Sequence, residues 1–196
     1  DSGHGFAPIV EQLGLPEEMA VRFVFPHAPV IPVTINNGFE MRAWYDIKSL
    51  DLESRADETG VRQSAAAVER LIESEMASGI PAHRIVLAGF SQGGVIALHL
   101  GTRFQHSLAG LLAMSTYMCV PEKLAAEASN ANRDINILMC HGTMDDVVPV
   151  SAGTNAKDKL QSLNYTVEWQ EYPMQHNVCM EQIHAISQWL QKVLAK

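Results

Sequence analysis

The hexapeptide Gly89-Phe90-Ser91-Gln92-Gly93-Gly94 lies between the apolar run Ile85-Val86-Leu87-Ala88 and the helix-like stretch Val95 to Leu100. A serine at the tip of a tight strand-to-helix turn adopts a strained backbone that pushes its hydroxyl into the open. Small residues at 89 and 93 let strand and helix approach without side-chain collision. The same position puts Ser91 at a helix N-terminus, where backbone N–H groups and the positive end of the dipole face any developing oxyanion. The backbone N–H of Gln92 is the donor expected there. As a bare pattern G-x-S-x-G is common, and the flanking strand and helix give it meaning.

A serine alcohol is a poor nucleophile until a base takes its proton, and a histidine base needs an acceptor to fix its tautomer. For a serine on such a turn the chain order is Ser, acid, His, and both partners belong just past the C-terminal ends of later strands. The segment ILMCHGTMDDVVP supplies a strand and then Asp145 and Asp146; TVEWQEYPMQHNV supplies the next strand and then His176. His83, His99, His106 and His184 fall at the wrong strand end or within helices. His141 follows a strand but precedes the aspartates, so it is read as packing within its loop. From the residues alone, Asp145 and Asp146 are equal candidates for the acid. The histidines have no Cys, His or carboxylate partner at zinc-ligand spacing, so neither a metal nor another cofactor is expected.

The elements that must position these groups alternate along the chain. Apolar runs at 21–25, 84–88, 108–114, 135–140 and 166–172 read as strands, and 57–78 and 178–194 carry apolar residues at helical spacing. The pattern predicts an α/β fold with a mainly parallel sheet flanked by helices. Between the first strand and the first long helix, Pro26 to Ala56 form a loop of about thirty residues, a length that is usually functional. Its Ile31, Val33, Ile35, Phe39, Met41, Trp44 and Tyr45 either wall an apolar pocket or pack onto the sheet.

The bulk composition narrows the function. The 196 residues are 47% hydrophobic and 18% charged, which fits a single domain over 1–196. A net charge of −8 with no Lys/Arg cluster argues against nucleic acid. Three scattered cysteines beside apolar residues read as reduced thiols, which points to a cytoplasmic setting. No apolar run is long enough for a transmembrane segment, and oligomeric state stays open.

The combination FPHAPVIPVTINNG, GFSQGG, HGTMDDVVP and YPMQH resembles the carboxylesterase and acyl-protein thioesterase family of α/β-hydrolases, over essentially the whole chain. The resemblance implies the α/β-hydrolase fold and selects Asp145, the first aspartate of D-x-x-V-P, as the acid. It implies an apolar acyl channel, with Trp44 and Tyr45 and with Ser115, Thr116 and Tyr117 in pocket-side segments. The chain departs from the pattern at Gln175, where glycine is common, and at Asn177. The opening DSGHGFAPIV resembles the end of a longer element, LHGLGDSGHGF, whose strand and Gly-rich loop normally supply the second oxyanion N–H. On that comparison the natural protein is expected to extend further at its N-terminus.

The function implied is hydrolysis of a carboxylic ester or acyl thioester through an acyl-enzyme, the substrate being a small molecule or an acylated protein. Lysophospholipid deacylation uses the same machinery and is the alternative within hydrolases. A noncatalytic binding protein on a hydrolase scaffold is the alternative outside them, and a peptidase ranks last.

Overall fold

The computed structural model describes residues 4–51 and 56–195. Its principal sheet has four parallel strands, β3 (Val86–Phe90), β4 (Gly110–Met114), β5 (Ile137–Gly142) and β6 (Val167–Tyr172), in that order. A smaller antiparallel pair, β1 (Val30–Pro32) and β2 (Glu40–Arg42), precedes them. The helices are α1 (Ile9–Leu13), α2 (Glu58–Ala77), α3 (Gln92–Arg103), α4 (Leu124–Glu127), α5 (Val150–Ser162) and α6 (Met180–Val193).

Side chains alternate across a strand, and the central strands use that alternation to build two cores. Leu111, Ala113, Ile137 and Met139 face one core, which contains Val61, Ala65 and Ile72 of α2, residues of α3, and Ala152, Ala156 and Leu160 of α5. Leu112, Met114, Leu138 and Cys140 face the other, closed by Ile183, Ile186, Trp189, Leu190 and Val193 of α6 with Leu13 of α1. Burying each of these large apolar side chains contributes roughly 1.5–3 kcal/mol. β4 and β5 accordingly carry no Asp, Glu, Lys or Arg and read as apolar runs, whereas the edge strand β6, VEWQEY, is more polar.

The expected strands at 84–88, 108–114, 135–140 and 166–172 are present with shifted ends, as are the long helices at 57–78 and 178–194. The expected strand at 21–25 is not: these residues join no ladder, and they alternate between half-buried and exposed. An extended segment becomes a strand only by hydrogen-bonding to a neighbour. Among the described residues none pairs with it, and β3 ends the sheet with Ala88 exposed. The loop expected at 26–56 instead contains the β1–β2 hairpin, in register Val30↔Arg42. Its 52–55 stretch lies outside the described residues, as do the first three residues of the DSGHGF element.

Candidate active site

Each strand of the principal sheet hands its C-terminal end to the next. The Ser91 N–H donates to the Met114 carbonyl (2.8 Å), the Ser115 N–H to Cys140 (2.8 Å) and the Thr143 N–H to Tyr172 (2.9 Å). Three loops are thereby held along one sheet edge. Ser91 sits between β3 and α3 with φ 55° and ψ −119°, a conformation that L-residues rarely adopt. Gly89 permits it, because a Cβ there would lie 2.0 Å from the Gly93 carbonyl oxygen.

The second small residue expected to matter was Gly93, but a Cβ there would meet only the Trp44 indole nitrogen at 3.8 Å. The crowded position is Gly94, where a Cβ would come within 2.6 Å of Thr116. Thr116 is itself part of the turn: its Oγ1 donates to the Ser91 carbonyl oxygen at 2.6 Å.

The His176 ring joins serine to acid. Its Nδ1 lies 2.7 Å from Asp145 Oδ2 and its Nε2 3.1 Å from Ser91 Oγ. A carboxylate only accepts, so Nδ1 carries the proton and Nε2 is free to accept from the serine hydroxyl. Phe90 holds the imidazole from the side, with ring centroids 4.8 Å apart. Asp145 is buried and Asp146 exposed. The other Asp145 oxygen, Oδ1, accepts from the backbone N–H groups of Val147 and Val148 at 2.9 and 2.8 Å. His141 is 1% exposed and bonds the Val148 carbonyl oxygen at 2.7 Å through Nε2, so it braces the loop that carries Asp145. At the end of β5, Gly142 lets the histidine loop cross closely, since a Cβ would lie 2.3 Å from the Met174 carbonyl oxygen.

The residues expected at the substrate split into two groups. Trp44 and Tyr45 line a cleft of about 640 Å³ together with Pro29, Ile31, Arg42 and Ala67. Ser115, Thr116 and Tyr117 are buried beneath the nucleophile turn, with the Tyr117 hydroxyl 2.7 Å from that of Tyr45. The Gln92 side chain links the two regions: its Oε1 accepts from the Trp44 N–H (3.0 Å) and its Nε2 donates to the Tyr45 carbonyl (3.1 Å). Ser64 adds a hydrogen bond to the Trp44 carbonyl. Sequence reasoning assigned Gln92 only its backbone N–H. The glutamine side chain carried no signal, because its partners lie nearly fifty residues away.

Burial pushes the Cys140 thiol up to about 12 and the Cys119 thiol to about 11, so neither is a thiolate near neutral pH. Among the described residues, no group of three His, Cys, Asp or Glu is placed to hold a metal. No helix there is long and apolar enough to cross a membrane.

A parallel sheet flanked by helices, with a strained serine between strand and helix, defines an α/β hydrolase. The sequence model of the family described as Phospholipase/Carboxylesterase matches residues 1–194, and the chain belongs to that family. It is 40% identical to acyl-protein thioesterase 1 of Neurospora crassa, over 100% of this chain and 84% of the relative. With acyl-protein thioesterase 1 of Gibberella zeae the identity is 37%, over 99% and 86%. Among solved structures it is similar to Arabidopsis thaliana SOBER1, with a TM-score of 0.93 and 29% identity, covering 99% of this chain and 94% of that one. Zea mays acyl-protein thioesterase 2 superposes with a TM-score of 0.86 at 28% identity, covering 99% and 89%.

Proposed function

We propose that this chain, as a single domain, hydrolyses carboxylic esters and acyl thioesters through an acyl-enzyme formed on Ser91. His176 Nε2 takes the hydroxyl proton as Oγ attacks the acyl carbon, and Asp145 stabilises the imidazolium that results. The developing oxyanion accepts from the Gln92 N–H at the start of α3. His176 then returns the proton to the departing alcohol or thiol. Water repeats the sequence on the acyl-enzyme, releases the carboxylic acid and restores Ser91.

The observation that carries this reading is the unbroken relay from Asp145 through His176 to Ser91, at 2.7 and 3.1 Å. Trp44 and Tyr45 flank the acyl group, and Ser115, Thr116 and Tyr117, buried beneath the Ser91 turn, support this site from below rather than touching the substrate. An acyl thioester on a protein is the favoured substrate, because the curated relatives at 37–40% identity are named acyl-protein thioesterases. The free cysteines Cys119, Cys140 and Cys179 fit work in a reducing, cytoplasmic setting.

A fluorophosphonate probe should label the wild-type chain at Ser91 and leave Ser91→Ala unlabelled. Turnover of a short p-nitrophenyl ester should disappear in Ser91→Ala and in His176→Ala. Undiminished turnover in Ser91→Ala would reject the assignment.

A further inference from the structure

Ser91 is held at both of its backbone polar groups by the end of β4 and the two residues after it. Its N–H donates to the Met114 carbonyl (2.8 Å), and its carbonyl oxygen accepts from Thr116 Oγ1 at 2.6 Å. Ser115, between them, takes φ of 51° and donates its own N–H to the Cys140 carbonyl (2.8 Å), which folds Thr116 beneath the nucleophile turn. Thr116 is 1% exposed and packs against Gly94, where a Cβ would come within 2.8 Å of its Cβ, Cγ2 and Oγ1. That packing fixes where the hydroxyl stands.

The oxygen that Thr116 holds belongs to the peptide joining Ser91 to Gln92, whose other polar group is the Gln92 N–H. A trans peptide is planar, and its C=O and N–H point in opposite directions. Holding the oxygen beneath the turn therefore aims the Gln92 N–H the other way, out of the interior. At the first position of α3 that N–H has no carbonyl within the helix to bond. The helix ties the same oxygen less closely, since the Val95 nitrogen lies 3.2 Å from it, at the long end of the N–H···O range. A hydrogen bond received at the carbonyl also polarises the amide and strengthens its N–H as a donor, by roughly 10–30%.

We propose that Thr116 is a positioning residue for the oxyanion: it fixes and polarises the Ser91–Gln92 peptide and acts on the reaction only through the Gln92 N–H. The role rests on the hydrolase reading, in which that N–H receives the oxyanion. The threonine that resemblance places beside the pocket thus serves the reacting carbonyl from behind the turn.

The experiment compares Thr116→Val, which keeps the shape and removes the hydroxyl, with Thr116→Ser, which keeps the hydroxyl. With a short p-nitrophenyl ester, Thr116→Val should lose about tenfold in kcat, less than the roughly 10²–10³-fold cost of removing an oxyanion donor outright. KM should stay within about twofold, and Thr116→Ser should recover most of the loss. Two inhibitors separate this role from a structural one. An alkyl trifluoromethyl ketone is attacked by Ser91 Oγ: a C–O bond forms, the hydroxyl proton passes to His176 Nε2, and the carbonyl electron pair moves onto oxygen as an oxyanion. Its Ki should rise about tenfold in Thr116→Val. The corresponding secondary alcohol forms no oxyanion and should bind the wild type and Thr116→Val alike. If circular dichroism shows Thr116→Val unfolded, Thr116→Ala replaces it in the same comparisons. A Thr116→Val with kcat within about twofold of the wild type overturns the role and leaves the hydrolase reading standing. So does an equal loss of affinity for ketone and alcohol, or a Thr116→Ser no better than Thr116→Val. Turnover that survives Ser91→Ala overturns both.

Discussion

Strand β5 is buried at all six positions, whereas β2 is exposed at all three. The first ends in the loop that carries Asp145; the second leads into Trp44 and Tyr45. Along the sheet edge, Ser91, Asp145 and His176 are held by backbone hydrogen bonds passed from strand to strand and by interior packing on both faces. The hairpin has no core of its own, and it leaves Val30, Ile35, Phe39 and Met41 more than a third exposed. It joins the edge through Gln92, Ser64 and the Tyr45–Tyr117 hydroxyl pair. The edge thus inherits the rigidity of the core on both faces, while the cleft wall is anchored at one end, by Tyr45 buried in the core, by Trp44 packed against it and by these polar ties. Changes in the two regions should differ in kind: loss of catalysis or folding at the edge, and loss of substrate handling at the hairpin.

The largest effect is expected at Asp145, whose two oxygens have separate duties. Oδ1 accepts from two backbone N–H groups and Oδ2 from His176. An asparagine has only one acceptor oxygen. In Asp145→Asn that oxygen stays with the backbone pair and the amide NH2 faces the imidazole. The tautomer is reversed, and Nε2 can no longer accept from Ser91. The expected loss is about 10⁴-fold in kcat, measured with a short chromogenic ester. Asp146→Asn, on an exposed neighbour, should change kcat by less than about twofold. Equal losses in the two variants would dissolve the distinction between a buried acid and its exposed neighbour.

The three glycines around Ser91 sharpen the account of the edge. Gly89→Ala would drive a methyl into the Gly93 carbonyl and should cost about 3 kcal/mol or more, since neither backbone segment can give way. Gly94→Ala meets Thr116 and should also destabilise, with disturbance of the Thr116 to Ser91 bond. Gly93→Ala should stay within about 0.5 kcal/mol of the wild type in denaturant unfolding. A stable Gly89→Ala would show the turn to be looser than its contacts imply.

The edge was legible in the chain because its signals are local. Gly89 to Gly94 between an apolar run and a helical stretch, and single loops carrying Asp145 and His176 after apolar runs, mark strand ends by neighbours within a few residues. Unbroken apolar runs likewise exposed β4 and β5, and apolar residues at helical spacing exposed α6. Residues 21–25 misled for the same reason: their composition is that of a strand, but a strand also needs a partner, and partnership is not a local property. Gly94 rather than Gly93, Gly142 and the Gln92 side chain matter through contacts with Thr116, Met174 and Trp44, which no short window contains. From the residues alone Asp145 and Asp146 were equal candidates, and only resemblance chose between them; in the fold Asp145 is the buried one, 2.7 Å from His176.

Gln92 tests the tie between the regions. Gln92→Ala keeps the backbone N–H expected at the oxyanion and removes both side-chain bonds to the Trp44–Tyr45 segment. Losing them should cost about 1–2 kcal/mol in stability. The kinetic mark should be a raised KM with kcat little changed, because the relay does not pass through this side chain. A fall in kcat comparable to that of Asp145→Asn would mean that the hairpin helps to position the relay itself.

The smallest effect is expected at the hairpin tip. Phe39 is 69% exposed, so its ring buries little that Phe39→Ser would return to water. The tip is instead shaped by its backbone. The Val33 N–H donates to the Phe39 carbonyl (3.1 Å) and the Gly38 N–H to the Val33 carbonyl (2.9 Å). Asn37 and Gly38 take φ of 56° and 77°. Phe39→Ser should therefore shift stability by less than about 0.5 kcal/mol and leave short-ester turnover intact. Gly38→Val puts a β-branched residue into left-handed backbone and should cost about 1–2 kcal/mol, although it too buries nothing. Thermal unfolding by circular dichroism, with turnover measured in parallel, reads both variants. If Phe39→Ser proves the more damaging, the hairpin is held by its apolar side chains after all, and the contrast between a core-built edge and a backbone-built hairpin fails.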